Sequence, residues 1–241
     1  MTRPWFEADP AALERLERTL RARYPTLHAF IEDGACMVRG TYPVIEGGRA
    51  IDRYEVKIAL PPDYPASLPL AWETGGRIPR EAHRHVFEDV GCLCLGVPLA
   101  LWIQLKGDFS LPTILDIPLR NFLIGNGLVE QGEPWPHGDH SHGVPGILEF
   151  YGELLGTSEP MAIAEFLLAV VKGTVRGHWL CPCGSGQIIR KCHRDAIESL
   201  RDVPRELVAR TGCMILDEIK RARKAAEDGL RVSARGSTAG Q

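Results

Sequence analysis

Tyr54, Val56, Ile58 and Leu60 alternate with Arg53, Glu55, Lys57 and Ala59, and the run ends against Pro61-Pro62-Asp63-Tyr64-Pro65. A period of two puts one apolar face on the core and one charged face in water, which describes a half-buried strand. The prolines must leave the ladder, because proline donates no hydrogen bond and restrains the residue before it. Upstream, an extended run from Cys36 to Val44 and the turn residues Gly47-Gly48 supply a partner strand, and Leu68 to Glu73 can re-enter as another. The pattern predicts an antiparallel meander.

Around it the spacing predicts helices. Asp9-Pro10 reads as an N-cap followed by a first-turn proline, and Leu13, Leu16 and Leu20 continue at helical spacing to about Tyr24-Pro25. Residues 75–107 hold no sustained period, which at that length marks a functional loop. Phe109 to Ile124 reads as a helix with Pro112 in its first turn and Pro118 as a kink. Residues 132–146 form a second loop, Ile147 to Leu155 and Met161 to Lys172 two more helices, and Ala196 to Ala226 a basic helix. The expected organisation is α+β: a domain over 1–157, a helical region over 158–231 and a disordered tail over 232–241.

A hydrophobic share of 44% suffices for a packed core in 241 residues, and a formal charge of −3 gives no broad electrostatic footprint for nucleic acid or an anionic membrane. No apolar run reaches the length of a membrane span, and the first residues carry no apolar signal core, so the expected location is the cytoplasm. Seven cysteines, an odd number without an export signal, point to metal binding or catalysis rather than a disulfide framework. They cluster at Cys92/Cys94 and Cys181/Cys183/Cys192.

Cys94 lies in Gly91-Cys92-Leu93-Cys94-Leu95-Gly96, after His83 and His85 and eight residues before Trp102. The order Tyr54-Glu55-Val56-Lys57-Ile58, Pro61-Pro62-Asp63-Tyr64-Pro65, Pro69, a histidine-containing loop, Gly91-x-x-Cys94-Leu95, Trp102 and then a helix resembles the ubiquitin-conjugating enzymes over residues 10–126. The resemblance implies an N-terminal helix, a four-stranded antiparallel meander, a long active-site loop and C-terminal helices. It makes Cys94 a nucleophile that accepts a ubiquitin-like protein as a thioester from an activating enzyme and passes it to an amine-bearing target. Cys92 takes the variable position before it, as a packing thiol or a participant in exchange.

The family's His-Pro-Asn is not kept: the chain reads His83-Arg84-His85-Val86-Phe87, without asparagine. His85 is the nearest match, either as a donor near developing negative charge or as a structural hydrogen-bonder, and His83 is the neighbouring candidate. Such departures resemble bacterial members encoded beside ubiquitin-like and activating proteins in antiphage operons. His137, Asp139, His140 and His142 could cover the cysteine and supply an acid or base, or bind metal. Two other classes stay open: an adaptor that only holds a ubiquitin-like protein, and a cysteine hydrolase pairing Cys94 with His140 or His142.

Cys181-Pro-Cys183-Gly-Ser-Gly-Gln-Ile-Ile-Arg-Lys-Cys192-His193 supplies three thiolates and an imidazole, the ligand set of structural zinc, while Gly184 and Gly186 allow the tight backbone that lets them converge. It is similar to the SEC-C motif, which implies a closed, structural zinc site used for docking to proteins.

Overall fold

The computed structural model describes residues 3–136, 143–201 and 203–236, without the side chains of 201 and 229–236. The chain is α+β and divides into two compact units, Met1–Asp139 and His140–Gln241. The division falls ahead of the expected boundary at 157, because the helix Val144–Leu155 belongs to the second unit.

In the first unit a short helix α1 (Trp5–Ala8) precedes α2 (Pro10–Arg23), whose Asp9 cap accepts the Ala12 N–H at 3.3 Å. Four strands follow, β1 (Leu27–Glu32), β2 (Ala35–Glu46), β3 (Arg49–Leu60) and β4 (Leu70–Glu73), in the antiparallel order β1-β2-β3-β4. The alternation of β3 works as predicted. Tyr54, Val56, Ile58 and Leu60 are buried, and each such side chain contributes about 1.5–3 kcal/mol through its removal from water. The proline turn is then used as a fastener: the Tyr64 hydroxyl accepts the Leu111 N–H at 2.7 Å, and the Pro62 carbonyl accepts the Trp5 N–H at 3.0 Å.

The segment 75–107 contains more regular structure than its sequence suggests, with a 3₁₀ turn at Ala82–Arg84 and a helix α3 (Pro98–Gln104). The expected helix from Phe109 is a composite of α4 (Leu111–Ile114), a π-helical turn (Leu115–Leu119) and α5 (Arg120–Glu130). Pro118 has no N–H to continue the regular ladder, and the wider turn absorbs it, with the Arg120 N–H reaching the Leu115 carbonyl. Tyr42 adds its hydroxyl to the same carbonyl at 2.7 Å.

The second unit holds α6 (Val144–Leu155), α7 (Pro160–Val171), α8 (Ile189–Cys192), α9 (Arg194–Arg201) and α10 (Arg205–Gly236). The single basic helix expected over 196–226 is thus two, parted before Pro204. Helical backbone also continues through Gly236, past the expected start of a disordered tail at 232. No single helix among the described residues is long and apolar enough to cross a membrane. The apolar pair α6 and α7 is bent by 72°, and its Tyr151, Leu155, Ile163, Ala164 and Leu167 are buried within the protein.

Candidate functional site

The first unit presents Cys94 on a loop held at two points. The Leu93 N–H donates to the Ala71 carbonyl at 2.8 Å, tying the loop to β4, and the Cys94 N–H donates to the His85 carbonyl at 2.8 Å. Between them Val86 and Leu93 form an antiparallel bridge, and the Phe87 N–H reaches the Cys92 carbonyl at 2.9 Å. The hairpin-like pair holds the thiol although neither segment is long enough to be a strand. Gly91 and Gly96 make it possible. Their φ values are 66° and 138°, and a side chain on Gly91 would start 2.7 Å from Arg80 Nε.

The two thiols differ in place. Cys92 is buried, with its Sγ 3.7 Å from the Leu93 carbonyl, and Cys94 is half-buried. Burial pushes both thiols above their ordinary value, and the Gly96 backbone N–H draws Cys94 partly back. An attacking thiol of higher pKa is intrinsically the better nucleophile once deprotonated.

His85 meets Cys94 through its backbone, at φ 55°, and its ring stacks on Trp135 with centroids 4.1 Å apart and planes 22° from parallel. His83 is exposed, with Nε2 3.3 Å from Glu81 Oε2. His140 and His142, with His137 and Asp139, lie outside the described residues. Trp102 sits on α3, edge-on to Phe109 at 5.1 Å.

Behind the histidine turn lies a polar cluster that the sequence reading did not find. Arg84 is only 7% exposed and Asn126 fully buried. Arg84 Nε donates to Asn126 Oδ1 at 2.8 Å, its Nη2 to the Asn126 carbonyl at 3.3 Å, and Asn126 Nδ2 donates back to the Arg84 carbonyl at 3.3 Å. Glu130 supplies the countercharge 3.6 Å from Arg84 and also pairs with Arg77 at 2.7 Å, and Arg77 binds Asp52 at 2.6 Å. Two cations and two carboxylates leave the buried guanidinium compensated, which burial of an arginine requires. A signal was present: Asn126 interrupts the apolar stripe of Leu119, Phe122 and Leu123, and a polar residue on a core face must find partners.

In the second unit Cys181, Cys183, Cys192 and His193 bring their ligand atoms within 4.8 Å of one another and can hold a metal ion. Cys181 Sγ is 3.1 Å from His193 Nδ1, Cys192 Sγ is 3.2 Å from the same nitrogen, and Cys183 and Cys192 Sγ are 3.4 Å apart. These separations approach the edge of about 3.8 Å of a tetrahedron with metal–sulfur bonds of about 2.3 Å. A bridge between Leu180 and Ile188 sets the hairpin, and the turn of α8 delivers Cys192 and His193. The Ser185 hydroxyl and N–H draw the Cys183 thiol down to about 6, while burial pushes Cys181 up. Ile189 packs inward, whereas Trp179 and Leu180 are exposed.

The chain matches no family model, no curated protein and no solved structure.

Proposed function

We propose that the first unit is a conjugating domain of the ubiquitin-conjugating type, which carries a ubiquitin-like protein as a thioester on Cys94 and passes it to an amine. The observation that carries this reading is the placement of Cys94: the more accessible of the two loop thiols, latched by its own N–H to His85 and through the Leu93 N–H to β4. The α2 helix, four-stranded meander and proline turn accompany it in the order the resemblance leads one to expect.

In the loading step Cys94 gives its thiol proton to water or a nearby base, and the thiolate attacks the carbonyl carbon of a thioester held by an activating enzyme. A new C–S bond forms, the old one breaks, and that enzyme's cysteine leaves as thiolate. In transfer an amine nitrogen attacks the same carbon, a C–N bond forms, Cys94 leaves as thiolate, and the proton lost by nitrogen passes to water or a nearby base. A hydrolase would instead require an imidazole within hydrogen-bond reach of Cys94 to take its proton.

For the second unit we propose structural zinc. Three thiolates and an imidazole suit that ion and leave no open position for substrate activation. The exposed Trp179 and Leu180 beside Arg190 and Lys191 suit a role in docking.

The test incubates the protein with ATP, a ubiquitin-like protein and its activating enzyme, comparing wild type, Cys92→Ala and Cys94→Ala by non-reducing gel and intact mass. The expected result is an ATP-dependent, thiol-reversible adduct lost only in Cys94→Ala. Stable binding without an adduct would replace the carrier by a holding adaptor, and ATP-independent cleavage of a conjugate would replace it by a hydrolase.

A further inference from the structure

We infer, taking Cys94 as the reactive thiol proposed above, that Arg84 and Asn126 are positioning residues for it, acting through the backbone of His85. Asn126 grips Arg84 three ways, at Nε, at Nη2 and at the main-chain carbonyl. That carbonyl belongs to the last residue of the 3₁₀ turn. The next residue is His85, which takes a left-handed conformation rare for a non-glycine residue and persists in it only where the surroundings over-determine it. Its carbonyl then receives the Cys94 N–H.

The ring of His85 is held by Trp135, five residues past the end of α5. Trp135 stacks on it and fits because residue 125 is glycine: a side chain there would start 2.9 Å from Trp135 Cη2 and Cζ3. Of two consecutive residues of α5, Gly125 leaves room for the Trp135 ring that stacks on His85, and Asn126 holds the carbonyl of the residue before it. Cys94 is referenced to a rigid helix rather than to the long loop that carries it. The asparagine absent from residues 83–87 has a functional counterpart on another element, reached only through the fold.

Two rates separate positioning from stability: peptide-resolved alkylation of Cys94 by iodoacetamide between pH 6 and 10, and discharge of the Cys94 thioester to an amine, both on the full chain. Asn126→Asp keeps the side-chain acceptors against Arg84, but an ionised carboxylate cannot donate to the Arg84 carbonyl. Arg84→Lys keeps the charge facing Glu130 and loses the guanidinium fork. In either variant Cys94 alkylation is expected to rise about tenfold as the loop loosens, while discharge falls about tenfold through misplacement of the thiol. Arg15→Ala, which breaks an exposed ion pair with Asp9 outside this cluster, should leave both rates near wild type. If Asn126→Asp does not fold, Arg84→Lys decides.

Unchanged alkylation in both variants with cooperative melting, or an equal change in Arg15→Ala, overturns the inference. If wild type gains no adduct while the alkylation profile still shifts, the transfer reading fails and the positioning role stands. An adduct with neither rate altered gives the reverse.

Discussion

Gly156 ends α6 in a left-handed conformation, φ 62°, and a Cβ built on it would lie 2.9 Å from His193 Cε1 and 3.1 Å from Cys183 Cβ. The end of one helix is thus pressed against two residues of the Cys/His cluster that can hold a metal ion. Gly156→Ala should weaken metal retention. Titration with a competing chelator is expected to strip metal from this variant at a lower chelator concentration than from wild type. Gly184→Ala is the control: its φ is 76° but nothing lies within 4 Å, so it carries only backbone strain of about 1 kcal/mol.

Cys181→Ser should release the metal and loosen its surroundings without reaching the thiol chemistry of the first unit, because metal binding to such a site is coupled to local folding. Amide exchange is expected to rise over residues 177–201 and stay unchanged in β1–β4. Loss of all Cys94 reactivity from a folded first unit would contradict this division.

Arg77 joins Asp52 and Glu130 and lies 4.4 Å over the Tyr54 ring. It is partly exposed, so the ion pairs are screened, and Arg77→Ala should cost about 1 kcal/mol, less at high salt. Denaturant unfolding of wild type and variant at low and high ionic strength measures the difference.

Alkaline pH should destabilise the first unit. Burial pushes the Cys36 thiol up to about 11 and the Tyr42 phenol up to about 12, both above their unfolded values near 9.0 and 10.0. A group whose folded pKa is raised contributes stability that is complete below its unfolded pKa and lost as pH climbs through the folded one. Melting temperature should therefore hold through neutral pH, decline from about pH 9 and fall steeply between pH 10 and 12. A flat profile to pH 12 would contradict the burial of these groups.

Several elements were legible before the structure because their signals are local. The Asp9-Pro10 start, the Gly47-Gly48 turn and the alternation of β3 each occupy a few adjacent residues. Other elements were not. β1 carries little alternation, since only Leu27 is fully buried, and it forms through its pairing with β2. α3 was read as loop although Pro98 at its first position is a helix-start signal, because Leu99, Leu101 and Leu105 show no polar face against which to read a period.

The two sites divide the same way. The sequence alone determined the metal cluster, because its four ligands fall within thirteen consecutive residues and two glycines make the turn that closes them. It also singled out the Cys92/Cys94 loop. Only tertiary structure decided which thiol is the more accessible, how Cys94 is latched to His85 and β4, and that Asn126, forty-two residues beyond Arg84, holds the turn before His85. Period and spacing describe neighbours along the chain, whereas a buried polar residue is satisfied by whatever the fold brings against it, and that partner has no fixed distance in sequence.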